Sequence, residues 1–268
     1  MTTGAESEYA ETQSLFEQLA IDAGRRIMDV FRRDFSVLEK DDCSPVTEAD
    51  HAAEKVILAG LRAAFPHIPC VAEEECAAGR AVPELGGAFF IVDPLDGTKE
   101  FVKRHQDFTV NIALVREGTP VVGVVLAPCS GRLFSGRPGH AEAMKVSEDG
   151  EVSERHRITV RPKQEPLTIV ASRSHFSPET EAFIRSIGTA ELVSVGSSLK
   201  FCLLACGEAD LYPRFTRTME WDTAAGDAVL RAAGGMTRTL DGAALRYGKR
   251  NQAHDSDFAN PNFIASTS

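Results

Sequence analysis

The chain has 268 residues and a formal charge of −10, from 39 Asp and Glu against 29 Lys and Arg. An apolar share of 43% and a charged share of 25% are those of an ordinary folded protein, and they exclude a disordered, collagen-like or disulfide-scaffold chain. The acidic balance argues against a nucleic-acid polymer as partner, because such binding needs a basic surface to displace counterions.

Residues 1–9 read as a frayed start, and residues 1–13 lack the apolar core of a signal peptide. From 10 to 33 the apolar residues Leu15, Leu19, Ala23, Ile27 and Phe31 recur every four positions, the period of one helix face. A second helix follows Ser44-Pro45-Val46. Thr47 and Asp50 have capping-box spacing, and Ala53, Val56, Ile57 and Leu61 make its buried face. Residues 66–87 look loop-rich and contain Glu73-Glu74-Glu75. Residues 89–93 read as a buried strand that stops at an acid. Residues 108–115 and 120–127 read as a hairpin turning at Glu117 and Gly118, with 132–135 as a further strand. Residues 136–155 are polar and charged. A boundary is expected at 155–165, dividing the chain into halves 1–158 and 159–268.

Beyond that boundary strands and helices alternate. Strands are expected at 167–171, 192–195 and 209–212. Helices are expected at 178–187 behind Pro178, at 197–206 up to Gly207, and at 222–233, closed by Gly234 and Gly235. This alternation predicts an α/β second half behind an α+β first half. The six cysteines, Cys43, Cys70, Cys76, Cys129, Cys202 and Cys206, form no C-x-x-C pair, so a zinc site is not indicated and a reducing cytoplasm is. Cys202 and Cys206 sit on an apolar helical stretch and are expected in the core. No apolar run of roughly 18 residues is present to span a membrane.

Three short segments carry chemistry. In Asp93-Pro94-Leu95-Asp96-Gly97-Thr98, two carboxylates lie three apart at a strand end, where Pro94 forbids helix and Gly97 permits a tight turn. Two carboxylates and a turn carbonyl are the oxygen donors that a hard divalent cation takes. An Asx-type turn is the other reading of the same residues. In Trp221-Asp222-Thr223-Ala224-Ala225-Gly226, Asp222 stands at a helix start, where it reads either as a ligand or as an ordinary N-cap. The run Glu73-Glu74-Glu75 is either a solvated face or a source of one inward-turned carboxylate.

Together the three segments resemble the lithium-sensitive, magnesium-dependent inositol monophosphatase superfamily, whose D-P-[IL]-D-[GS]-T and W-D-x-A-[AG]-G strings are both complete here. The finer resemblance is to its 3'(2'),5'-bisphosphate nucleotidases of the CysQ type. It rests on Ser44-Pro45-Val46-Thr47-Glu48-Ala49-Asp50, Ser172-Arg173-Ser174-His175, Gly196-Ser197-Ser198-Leu199-Lys200-Phe201 and Ala209-Asp210-Leu211-Tyr212-Pro213-Arg214-Phe215. The family's acidic pair precedes its first signature by about twenty residues, and Glu73 lies twenty before Asp93.

The resemblance implies a layered αβαβα fold with the active site between its two sub-domains. It implies two or three Mg²⁺ ions, the first held by Glu73, Asp93 and the Leu95 carbonyl and the second by Asp93, Asp96 and Asp222. It implies Glu73, Thr98 and Asp50 as the catalytic group. Leu95, Asp96, Gly97, Thr98, Gly196, Ser197, Lys200 and Asp222 are then the substrate contacts, with Gly196 and Ser197 opening a helix and Lys200 reaching a second phosphate. Arg173 and His175 are further candidates for that contact or for shaping a loop. The implied reaction removes the 3'-phosphate of adenosine 3',5'-bisphosphate, in a cytoplasmic enzyme that is free or held at the membrane's inner face. An inositol or other sugar phosphatase is the alternative within the same chemistry. A non-catalytic nucleotide or metal sensor is the alternative outside it. The oligomeric state is not legible.

Overall fold

In the computed structural model residues 3–40, 44–172 and 177–267 are described. Helix α1 (Thr3–Phe31) leads to the hairpin of β1 (Val37–Glu39) and β2 (Pro45–Thr47), and then to α2 (Glu48–Ala64). Strand β3 (Cys70–Ala72) runs straight into the short helix α3 (Glu73–Ala77). After β4 (Ala88–Asp96) and α4 (Thr98–Val102) comes a meander: β5 (Thr109–Arg116), β6 (Thr119–Ala127), β7 (Arg132–Arg137), β8 (His140–Val146) and β9 (Val152–Arg157). These strands form a seven-stranded sheet in the order β3-β4-β5-β6-β7-β8-β9, antiparallel except for the β3–β4 pair.

The remaining elements are β10 (Leu167–Ser172), α5 (Pro178–Ile187), β11 (Ala190–Val195), α6 (Leu199–Ala205), β12 (Leu211–Arg214), β13 (Thr218–Met219), α7 (Ala224–Ala232), β14 (Met236–Thr239), β15 (Ala259–Asn260) and β16 (Phe263–Ser266). They give a second sheet in the order β11-β10-β12-β16-β14, with β10, β11 and β12 parallel and β16 antiparallel to its neighbours.

The layering follows from the two-residue period of the strands. On β4, Phe90 and Val92 join Phe16, Ile27, Ile57 and Leu61 in a core beneath α1 and α2. Their neighbours Phe89 and Ile91 join Phe201, Leu204, Val229 and Leu230 of α6 and α7, together with Val170, Tyr212 and Phe263 of the second sheet. The first sheet is therefore buried on both faces except at its β9 edge, and α6 and α7 are sandwiched between the two sheets. Helix α5 covers the far side with only Thr180 buried. This is the expected layered α/β arrangement. Gly226 lets α6 and α7 approach, because a Cβ there would lie 2.6 Å from the Phe201 ring.

Several local expectations change. Helix α1 begins at Thr3, so the frayed start is helical. The loop-rich reading of 66–87 misses β3 and α3. The polar stretch 136–155 contains all of β8 and most of β9. Every residue of β9 is exposed, so no apolar alternation marks it. Helix α6 begins at Leu199 rather than 197, and α7 at Ala224 rather than 222. In both cases the preceding turn holds the site residues outside the helix. Cys202 is in the core, but Cys206 is only half-buried. Cys43, Arg173, Ser174 and His175 lie outside the described residues.

Candidate metal-centred active site

The Asp93–Thr98 segment is the last turn of a central strand. Pro94 has no N–H to give the ladder, and the β4–β5 register shifts between Asp93 and Asp96. The Leu95 N–H donates instead to Asp93 Oδ1, at 3.0 Å. Gly97, at φ +93°, turns the chain into α4. The Thr98 hydroxyl then lies 3.2 Å from both Asp50 Oδ1 and the Leu95 carbonyl oxygen, and its single proton goes to one or the other.

Asp50 serves two purposes at once. Its Oδ2 accepts the Thr47 N–H and the Thr47 hydroxyl, each at 2.8 Å, closing the capping box of α2. Its Oδ1 is left for Thr98. The capping role and the site role, which compete when the sequence is read alone, use different oxygens.

Glu73 is the first residue of α3, where the parallel neighbour of β4 ends. Lys40 Nζ lies 2.7 Å from both Glu73 Oε1 and Glu74 Oε1. Of the three glutamates, Glu73 lines the cleft, Glu74 is buried on Lys40, and Glu75 is held by Arg62 and Arg80. Asp222 arrives from the other side of the cleft. Its Oδ2 accepts the Met219 N–H at 2.8 Å, fixing the turn before α7.

These carboxylates repel one another. Burial, followed by the charges of Glu73, Asp96 and Asp222, pushes the Asp93 carboxyl well above its usual range. Burial, then Asp96 and Glu73, pushes Asp222 up to about 8. Asp96 is raised by burial and held back chiefly by Lys200. Such a set of hard oxygen donors is relieved by a hard divalent cation. Among the described residues no three His, Cys, Asp or Glu side chains already close around one point. A cation in this cleft therefore completes its shell with backbone oxygen and water, as magnesium readily does.

A family model described as the inositol monophosphatase family matches residues 8–267. The chain belongs to the inositol monophosphatase family. It is 45% identical over 251 residues to the protein named 3'(2'),5'-bisphosphate nucleotidase CysQ of Escherichia coli O6:H1, an overlap of 93% of this chain and 97% of that one. The crystal structure of CysQ from Bacteroides thetaiotaomicron superposes with a TM-score of 0.77 at 38% identity, covering 95% of this chain and 97% of that one. An IMPase from Thermotoga maritima follows at a TM-score of 0.75 and 25% identity, covering 96% and 92%. Among the described residues no helix is long and apolar enough to cross a membrane.

Within this family frame the opposite wall of the cleft holds the cations. Lys200 is 3% exposed, and its Nζ donates to the Ser197 carbonyl at 2.5 Å. Burial lowers its pKa to about 8 against the pull of Asp96. Ser197 lines the cleft at φ +49°, with a buried hydroxyl that has no partner among the described residues. Gly196 does not reach the cleft in the same way: its N–H points to Asp107 Oδ2 at 3.3 Å. Because α6 starts two residues later, the expected helix N-terminus at Gly196 and Ser197 is a bend instead.

Two residues of this wall were not singled out in the sequence. Ser198 ties the halves of the site together, its hydroxyl lying 2.6 Å from the Asp222 carbonyl oxygen and 3.1 Å from Asp96 Oδ2, while Asn111 Nδ2 donates to it at 2.9 Å. Arg214 is 8% exposed and lines the cleft, yet its Nε has no partner among the described residues. Among the described residues its Nη2 reaches only the Arg217 carbonyl, at 3.4 Å. A buried guanidinium so poorly satisfied is a strong anion receptor. The 211–215 string contains Arg214, but nothing in its pattern says that the strand turns that side chain inward.

Proposed function

We propose that the chain is a magnesium-dependent 3'(2'),5'-bisphosphate nucleotidase. Its substrate is adenosine 3',5'-bisphosphate, whose 3'-phosphate ester it hydrolyses to give AMP and phosphate. The sulfated form, 3'-phosphoadenylyl sulfate, is the second substrate on this reading. The observation that carries it is one cleft with opposed ends. Asp96, Asp222 and Glu73 line the same space as a buried, poorly satisfied Arg214, and the buried Asp93 lies against Glu73. A molecule with two phosphates on one sugar has a use for both ends, and the nucleotidase name of the 45%-identical relative agrees with it.

On this reading Glu73, Asp93 and the Leu95 carbonyl hold one Mg²⁺, while Asp93, Asp96 and Asp222 hold a second. A weaker third ion, partly water-ligated, would complete the set. Bound magnesium supplies charge neutralisation at the phosphoryl oxygens and a water of lowered pKa. The chain's own residues do the rest. Once the Leu95 carbonyl is engaged as a ligand, the Thr98 proton belongs to Asp50, and the Thr98 oxygen offers its lone pair to the attacking water. Glu73 accepts the proton that this water loses. The phosphorus–oxygen bond to the 3'-carbon's oxygen breaks, and no phosphoryl-enzyme forms. Gly97 and Thr98 approach the transferred phosphate. Ser197, Lys200 and Arg214 serve the second phosphate, with Lys200 acting from behind the Ser197 carbonyl. Gly196 acts only through the bend it shapes.

We take residues 1–158 and 159–268 as the two halves between which the cleft lies, Asp222 coming from the second. The setting we propose is cytoplasmic nucleotide recycling in sulfur metabolism. The test is phosphate release from adenosine 3',5'-bisphosphate against inositol 1-phosphate, each with and without magnesium and lithium. The nucleotide should be the faster substrate, only with magnesium, and lithium should inhibit. Faster release from inositol 1-phosphate would favour the sugar-phosphatase reading. No release from either would favour the sensor.

A further inference from the structure

Helix α2 carries a stripe of residues four apart that faces the site from behind: Asp50, Glu54, Leu58 and Arg62. Four-residue spacing puts them on one helix face. Leu58 is core. The other three each hold a different point of the catalytic wall. Asp50 accepts from Thr98, as described. Arg62 Nη2 reaches Glu75 Oε2 at 2.7 Å. Glu54 Oε2 accepts the backbone N–H of Glu74 at 2.8 Å.

The Glu54 contact solves a local problem of α3. This five-residue helix begins directly out of a strand, at Ala72, which has no side chain to cap it. Its first N–H groups are left without intrahelical acceptors. Glu54 supplies the acceptor from a different helix, and the Glu75 N–H also points to it. The carboxylate is 7% exposed, and burial lifts it to about 7 against those two N–H donors. A buried acid that holds two backbone N–H groups of α3 fixes the direction in which that helix starts. The residue whose direction α3 sets is Glu73.

We propose that Glu54 is a positioning residue of the hydrolytic site: it caps α3 from α2 and so fixes Glu73 at the distance from Thr98 that cation binding and water activation require. One rigid helix then sets both sides of the attacking water, Thr98 through Asp50 and Glu73 through Glu54, one turn apart. The exposed Arg62 grip on Glu75 adds little, since solvent screens it. This inference rests on the functional reading above in taking Glu73 as a metal ligand.

The experiment compares Glu54→Gln with wild type and with Glu48→Gln, which changes an exposed acid on the first turn of the same helix. Magnesium affinity is measured by calorimetry without nucleotide, kcat and KM at saturating magnesium, and stability by thermal melting. Glutamine keeps the size of the side chain but is uncharged and has one accepting oxygen instead of two, so it is a weaker cap for the α3 N–H groups. Glu54→Gln should weaken magnesium binding about tenfold, the usual effect of losing an outer support of a ligand. It should lower kcat and leave the nucleotide KM within about twofold, because the substrate wall is untouched. Glu48→Gln should match wild type. Wild-type magnesium affinity and kcat in Glu54→Gln, with only a lower melting temperature, would reduce Glu54 to a stabilising group and overturn the inference. A wild-type chain that binds magnesium but releases no phosphate from the nucleotide would sink the functional reading instead, and the calorimetric comparison would still decide Glu54.

Discussion

The two walls of the cleft are charged oppositely and built differently. The acidic wall comes from short, local devices: a strand end, a proline, a left-handed glycine and the starts of two helices bring Asp93, Asp96, Thr98 and Glu73 together. Asp93 accepts a backbone N–H, Asp96 the Ser198 hydroxyl and Glu73 the Lys40 ammonium, and the excess negative charge is what remains to be neutralised. The basic wall depends on how separate elements pack. Lys200 on α6 and Arg214 on β12 meet only because α6 packs between the sheets and β12 pairs beside β10. Its cations are nearly out of reach of water and hydrogen-bond to backbone carbonyls, Lys200 also feeling the charge of Asp96. The acidic wall therefore gains by binding cations, and the basic wall by binding an anion.

If that contrast is right, damage to the two walls has different signatures. Asp96→Asn should be the most severe change, lowering phosphate release roughly a thousandfold, the scale of several kcal/mol of charge stabilisation. The metal-free protein should not melt lower, because a repelling charge has been removed. A melting curve in chelator beside a phosphate assay checks both, and near-normal turnover would place the cations elsewhere. Thr98→Ala should lower kcat about a hundredfold, the low end of positioned proton transfer, with magnesium affinity by calorimetry held. A parallel loss of magnesium binding would show that the Thr98 hydroxyl shapes the cation site rather than the water.

Arg214→Met addresses the other wall. It should raise the KM for adenosine 3',5'-bisphosphate by about ten- to a hundredfold, the worth of one charged hydrogen bond. The rate on adenosine 3'-phosphate, which lacks the second phosphate, should hardly change. Equal losses on both substrates would mean that Arg214 supports the fold rather than the distal phosphate.

The smallest effect is on stability against pH. Asp222 has a folded-state pKa of about 8, far above its ordinary value of 3.8. Between those values the folded, metal-free chain holds a proton that the unfolded chain has lost. The associated stability is complete below about pH 4 and declines as pH rises toward about 8. Glu74, raised to about 8 chiefly by burial, acts in the same direction. In chelator the melting temperature should fall between about pH 6 and 8. Magnesium competes with those protons, so its stabilising effect should be larger at the upper end of that range. A magnesium-induced rise in melting temperature that is independent of pH would remove the carboxylates from the account.

The Asp93–Thr98 turn was readable because its determinants are close together in the chain. Pro94 and Gly97 dictate the turn whatever packs around them, and Thr47 with Asp50 closes the capping box that their spacing announces. The basic wall was readable only in part. Lys200 was visible as a cation in an apolar string, but the bend at Ser197 that withdraws Gly196 depends on contact with Asp107, 89 positions away in the chain. Strand β9 was missed because an edge strand exposed on both faces has no hydrophobic period to read.

The sequence by itself determined the periodic helices α1 and α2, the central hairpin of β5 and β6, and the acidic turn with its two competing uses of Asp50. It did so because capping, turn chemistry and amphipathic period act over a few residues. Only the tertiary structure decided which cation stands buried and poorly satisfied, and that Ser198 joins Asp96 to the Asp222 turn. Those outcomes depend on which groups are removed from water together. That is settled when α6 and α7 close between the two sheets, and no local pattern carries it.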